Sequence, residues 1–261
     1  MPDYENLLTE QTDGVLTVVF NRPKVNAFSL QMIGELLDVL KLAKREHSIR
    51  CLVLMGSGGF FSTGHDVGEI AQVSDAVSYR HHLKNTYNRV IQSMRQLEKP
   101  IVGAINGVAT GAGLGIALAT DIRWAVESAR FIFGFTGIGL TTDSGISLTL
   151  PLFIGMARAF EMAFTNQPLT AEQAFDYGLV SKVVADEEFQ TAVNALAASI
   201  ASGPTRALGL TKRAFNRTLL TALDAALDYE AYLQEIAART EDHKEGVAAF
   251  LDKRPPDFRG A

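Results

Sequence analysis

The chain has 261 residues, 47% of them hydrophobic and 20% charged, with 24 Lys and Arg against 29 Asp and Glu. That length suits one large domain that buries about 70–75% of its unfolded surface without a disulfide or metal staple. The apolar fraction excludes disorder as the main state. A net charge of −5 argues against a nucleic-acid partner, because phosphate binding needs clustered cations. The single cysteine, Cys51, excludes an internal disulfide framework and points to a reducing, cytoplasmic setting. The first ten residues carry Asp3 and Glu5 and lack both a basic start and an apolar run, so no signal peptide is expected.

In chain order, Val15 to Phe20 is a β-branched run that stops at Asn21-Arg22-Pro23. Ser29 is a candidate N-cap for a helix running to His47, with an apolar stripe at Ile33, Leu36, Leu37, Leu40 and Ala43. Cys51 to Met55 reads as a buried strand ending in Gly56-Ser57-Gly58-Gly59. A polar helix is expected from about Ala76 to Leu97. From Ile101 to Thr120 twenty residues carry no charge, long enough for a membrane span. Five glycines and the Asn106-Gly107 turn favour instead a strand over 101–105, a glycine-rich turn and a buried helix from about Gly111. Strands at 122–126 and 131–133 follow. Beyond about residue 155 helical stripes dominate, at 156–164, 187–201, 205–217, 223–238 and 242–253. Strands separated by helices mean a parallel sheet with crossovers, so the class is α/β with a helical C-terminal part.

Three features bear on chemistry. The turn Gly111-Ala112-Gly113 completes no G-x-G-x-x-G pattern and no Walker lysine follows. Its backbone N–H groups at a helix start suit a developing negative charge, or its glycines only permit close helix–strand packing. The loop from Gly59 through Phe60-Phe61 to Val67 flanks an exposed Phe pair with glycines and hydroxyls, as a ligand-covering loop would. Asp143 is the only ionisable side chain between Phe131 and Ala157. In apolar surroundings its pKa is raised, which suits proton transfer near neutrality, or it caps the helix that starts there. His81 and His82 lack metal-site spacing, and no His/Cys/Asp cluster reads as a metal site. His65, in a loop, reads as solvated.

Asn21-Arg22-Pro23 with Asn26-Ala27, the run Phe61 to Val67, the run Ile105 to Gly113, Ala171-Glu172-Gln173-Ala174 with Gly178-Leu179-Val180, and Glu245-Gly246 through Phe250 to Lys253 occur in one order along nearly the whole chain. In this ordered set the sequence resembles the crotonase, or enoyl-CoA hydratase/isomerase, superfamily, and within it the branch of acyl-CoA isomerases that acts on 1,2-epoxyphenylacetyl-CoA. The resemblance implies a crotonase-like ββα spiral core over 1–200 and a helical oligomerisation region over 201–261 that builds a homotrimer or homohexamer. It implies an acyl-CoA thioester as substrate and no cofactor beyond its coenzyme A moiety. The backbone N–H groups of His65 and Ala112 would form the oxyanion hole. Lys24, Val25, Ala27, Gly64, His65, Asp66 and Val67, with Phe250 and Lys253, would bind coenzyme A.

The departures from the family bear on the reaction. The two catalytic glutamates of the hydratases fall here on Gly115 and Phe135. Asp143 matches the acidic position of several isomerases and the nucleophilic aspartate of 4-chlorobenzoyl-CoA dehalogenase. The water-activating histidine of that enzyme falls on Asn88 and its tryptophan on Phe135. The expectation is an isomerase in which Asp143 removes and returns a proton. The rival readings are a hydratase-like lyase, a thioester hydrolase or dehalogenase, and a non-catalytic acyl-CoA-binding homologue.

Overall fold

The computed structural model describes residues 2–72 and 78–261. Strands β1 (Leu7–Thr12) and β2 (Val15–Phe20) form an antiparallel hairpin. Helix α1 (Leu30–Arg45), capped by the Ser29 hydroxyl on Met32 N–H, crosses to β3 (Cys51–Gly56), which runs parallel to β2. From there the chain steps repeatedly between two sheets. After β3 comes β4 (Phe60–Ser62) in a second, smaller sheet. Helices α2 (Val67–Gln72), α3 (Tyr79–Asn85) and α4 (Tyr87–Gln96) then lead to β5 (Ile101–Ile105) in the large sheet and β6 (Val108–Thr110) in the small one. Helix α5 (Ala112–Leu118) precedes the third step, β7 (Ile122–Val126) followed by β8 (Arg130–Ile132).

Helices α6 (Ile146–Ile154), α7 (Met156–Thr165) and α8 (Ala171–Asp176) carry the chain past β9 (Leu169–Thr170) to β10 (Lys182–Val184). Among the described residues the large sheet has the order β1-β2-β3-β5-β7-β10 and the small one β4-β6-β8-β9. Every pairing is parallel except β1 with β2 and β8 with β9. Helices α9 (Phe189–Ser202), α10 (Thr205–Leu219), α11 (Leu223–Ala237) and α12 (Glu241–Asp252) complete the molecule. The α/β class and the ββα spiral are therefore both present.

The corners between the sheets are held by two asparagines. Asn106 accepts from Gly56 N–H at 2.8 Å and donates to Gly56 O and Gly58 O at 2.7 and 2.8 Å. Asn26 donates to Ser57 O and Phe60 O at 2.9 and 2.8 Å. Each amide satisfies backbone groups of a neighbouring turn of the spiral, groups that burial would otherwise leave unpaired. Under the corners Phe20 meets Phe28 and Phe61 edge-on, with ring centroids 5.2 Å apart in both pairs.

Three expectations need correction, and one strand went unseen. Phe60 and Phe61 are not an exposed loop pair: they belong to β4, and Phe61 is fully buried. The polar helix of 76–97 breaks at Thr86 (φ −119°, ψ −96°) into α3 and α4, and its expected start at Ala76 lies outside the described residues. The hairpin strand β1 escaped notice because only Leu7 of its six residues is buried, so no alternation shows. The Asp143 side chain does not cap α6: Ile146 N–H donates to the Asp143 main-chain carbonyl, and the N–H groups of Gly145 and Ser147 go to Glu230 of α11. The uncharged stretch 101–120 is strand, corner and short helix, and among the described residues no helix is long and apolar enough to cross a membrane.

Candidate active site

Two backbone turns meet at the top of the small sheet. Beyond β4 the chain passes between Phe28 on one side and the end of β6 on the other. Phe28 N–H donates to Gly64 O at 2.7 Å and Asp66 N–H donates to Phe28 O at 3.0 Å. In an extended chain the N–H between two such residues points the opposite way, so His65 N–H turns from Phe28 toward the 110–112 turn. There Gly111 adopts φ 55°, ψ −130°, a conformation open in practice to glycine alone, and starts α5 at Ala112. The N–H of a first helical residue has no intrahelical partner. The approach is close: a Cβ added to Gly64 would lie 3.0 Å from Ala112 N. The close-packing reading of the glycine-rich turn holds at Gly113, where a Cβ would lie 2.4 Å from Ser62 O, and Gly111 makes the turn itself.

These turns open onto a cavity of about 730 Å³. Its lining includes Lys24, Val25, Ala27, His65, Asp66 and Val67, then Ala112, Phe135, Leu140 and Asp143, and finally Phe250. Gly64 is buried under that wall, and Lys253, the left-handed C-cap of α12, lies outside the lining. Arg254 beside it is held by Glu245 at 2.5 Å, which leaves less positive charge at this end than the sequence implies. Phe131 and Phe133 sit in the core behind the cavity. The two expected coenzyme-binding segments are tied together by Arg22, which donates to Ala27 O at 3.2 Å and to Asp66 at 2.6 Å. Burial opposes ionisation of Asp66, but the Arg22 bond and Gly68 N–H hold its carboxyl below the usual range.

The His65 imidazole is not solvated as expected. Its Nδ1 is 2.8 Å from the buried Tyr87 hydroxyl, and its ring packs against His82 and Tyr87. Burial, with His82 and Arg22 adding to it, pushes the imidazole down to about 3, so it stays neutral. The break at Thr86 is what brings Tyr87 into this contact at the start of α4.

Across the cavity Asp143 is buried, with 7% exposure. Burial pushes its carboxyl up to about 6, against hydrogen bonds from Ser144 and Gln234 that pull it down. Ser144 donates to Oδ1 at 2.7 Å and Gln234 to Oδ2 at 3.1 Å. A glutamate at position 115 is sterically excluded, since a Cβ on Gly115 would lie 2.4 Å from Ser144 Cβ. Asn88 does not face the cavity; its amide donates to Leu227 O at 3.0 Å and ties α4 to α11. Sequence reasoning missed Gln234 and Glu230, because a polar residue on a helical stripe carries no sign of what it meets. Among the described residues no group of His, Cys, Asp or Glu is placed to hold a metal ion.

A spiral that brings the 63–66 and 110–112 turns and the buried Asp143 to one cavity defines a class of site rather than a single reaction. A family model described as enoyl-CoA hydratase/isomerase matches residues 10–261, and the chain belongs to that family. It is 39% identical over 98% of its length, and 99% of the relative's, to the 1,2-epoxyphenylacetyl-CoA isomerase of Escherichia coli K12. It is 38% identical, with the same coverage of both chains, to a probable enoyl-CoA hydratase of Rhodobacter capsulatus. An enoyl-CoA hydratase structure from Mycobacterium avium subsp. paratuberculosis superposes with a TM-score of 0.89 at 33% identity, covering 98% of this chain and all of that one. Relatives of nearly equal identity thus bear the names of different reactions, and the side chains of the site must discriminate between them.

Proposed function

We propose that the protein isomerises an unsaturated acyl-CoA, with Asp143 as the single acid–base group and the N–H groups of His65 and Ala112 as the oxyanion hole. The observation that carries this reading is the carboxylate inventory of the cavity. Among the described residues its lining has two carboxylates, Asp66 and Asp143, and Asp66 is engaged by Arg22. The hydratase glutamate positions hold Gly115, with no room for a side chain, and the apolar Phe135. Hydration asks for one group to direct a water at the β-carbon and another to protonate the α-carbon, whereas a single free carboxylate is enough to shuttle a proton.

Asp143, ionised above about pH 6, takes a proton from the carbon beside the thioester carbonyl. The electron pair of that C–H bond delocalises onto the carbonyl oxygen, giving a dienolate. Two N–H donors aimed at that oxygen contribute on the order of 3–4 kcal/mol each. The protonated Asp143 then returns the proton to the far end of the allylic system, and the double bond moves into conjugation. Phe135 and Leu140 keep water from the intermediate. The same apparatus suits rearrangement of an epoxide-derived ring, the chemistry in the name of the Escherichia coli relative. The dehalogenase reading loses its water-activating group, because Asn88 is committed to α11.

The loops around Lys24 and Asp66 would take the nucleotide end of coenzyme A. Exposed Phe215, Leu219, Tyr229, Tyr232 and Ile236 on α10 and α11 support residues 201–261 as an oligomerisation region, with sedimentation expected to give a trimer or hexamer. The decisive experiment offers 3-enoyl-CoA and 2-enoyl-CoA thioesters and follows the conjugated thioester absorbance. The expected result is gain of conjugation from the first, abolished in Asp143→Asn, and no rapid loss from the second. Full activity of Asp143→Asn, or fast hydration of the 2-enoyl thioester, would overturn the reading.

A further inference from the structure

Helix α11 carries two polar side chains into the interior, Glu230 at 2% exposure and Gln234 at 1%. Four residues apart, they share one helix face. Both grip the segment that bears Asp143. Gln234 Oε1 accepts Thr141 N–H at 3.2 Å, which fixes the orientation of the amide, so that Nε2 donates to Asp143 Oδ2 at 3.1 Å. On the other side Glu230 Oε2 accepts Gly145 N–H and Oε1 accepts Ser147 N–H, both at 2.8 Å. Between these anchors Ser144 sits at φ 57°, a conformation a non-glycine residue adopts reluctantly, with its hydroxyl on Asp143 Oδ1. A turn disfavoured locally keeps its shape only when the surroundings over-determine it.

We propose that Gln234 and Glu230 are positioning residues for Asp143: Gln234 orients the carboxylate and stabilises its ionised form, and Glu230 holds the turn that presents it to the cavity. The proposal rests on the reading of Asp143 as the acid–base group. The titratable groups that face Asp143 are Glu230 from α11, Tyr79 from α3, with His243 of α12 behind it at 3.1 Å, and Tyr87 from α4. Among the described residues Asp143 has no cationic partner, so neutral donors are what favour its charge. Burial pushes Glu230 itself up to about 7, with a smaller push from the charge on Asp143.

The test reads Asp143 directly, by infrared titration of its carboxyl stretch, assigned through its loss in Asp143→Asn. It is run beside the pH profile of kcat/KM for isomerisation. Gln234→Leu is expected to raise the Asp143 midpoint by about 1 pH unit or more. The acid limb of the profile should rise with it, so that activity lost at neutral pH returns at high pH. Gln234→Glu, nearly isosteric, should raise the midpoint further and decides the matter where the leucine variant does not fold. Glu230→Gln should lower kcat roughly tenfold or more with KM within about twofold. An unmoved Asp143 midpoint in a folded Gln234 variant overturns the proposal, whatever the activity. Full activity of Asp143→Asn instead overturns the function while leaving the titration result standing, so the two failures are distinct.

Discussion

The two walls of the cavity are made differently. The wall of residues 63–66 and 110–113 is backbone: its candidate functional atoms are N–H groups, aimed by β4, β6 and the Gly111 turn. The opposite wall is a side chain, Asp143, whose orientation depends on Ser144 next to it and on Gln234, ninety-one residues away in sequence. A backbone wall survives most side-chain changes and fails only when the chain path is blocked. A side-chain wall fails with one atom.

The largest expected effect breaks the acid wall. Asp143→Asn should lower isomerisation by about 10²–10⁴-fold, as for other general acid–base groups, with coenzyme A binding by calorimetry unchanged. The backbone wall breaks next, through Gly64→Ala. Its Cβ would meet Thr110 O at 2.9 Å and Ala112 N at 3.0 Å, at a φ of 82°. Loss of about 10²–10³ in kcat is expected, from one donor displaced, measured in a variant whose circular dichroism remains native.

A smaller effect tests how the two walls meet. Gly115→Ala puts a Cβ 2.4 Å from Ser144 Cβ and should reduce stability by about 1–3 kcal/mol. Gly115→Ala combined with Ser144→Gly should recover much of that in urea unfolding, a non-additivity expected only if the two residues touch. An effect of similar size is electrostatic. Asp143 has a folded value near 6 against an ordinary 3.8, so between those values the folded state binds more protons than the unfolded. Stability from this group is present at low pH and is lost as pH rises through about 6. Asp143→Asn should therefore gain stability over the parent as pH rises from 4 to 7, by on the order of 2 kcal/mol, in urea titrations at both ends of that range.

Much of the fold was legible because its signals are local. The apolar runs 15–20, 51–55, 101–105 and 122–126 are all strands of the large sheet, and the C-terminal helical stripes lie within two residues of α7 and α9–α12. A long uncharged segment marked Asp143 as isolated, and its side chain is buried. What failed depended on partners. Thr86 breaks a helix that its residues would continue, Phe61 is buried by Phe20 rather than by its own neighbours, and His65 is neutral because Tyr87 and His82 surround it.

The amino-acid sequence by itself determined the α/β class, the order of the spiral, the family, and the absence of acids at positions 115 and 135. The class and the missing acids follow from periodicity and residue identity, which act over a few positions along the chain, whereas the spiral and the family came from the resemblance of an ordered set of motifs. Tertiary structure alone decided that the 64–65 and 111–112 turns converge, that Asp143 faces their cavity instead of capping α6, and that Glu230 and Gln234 of a distant helix hold it there. Hydrogen bonding and desolvation act across a few ångströms of space, and which residues share that space is fixed only once the chain has folded.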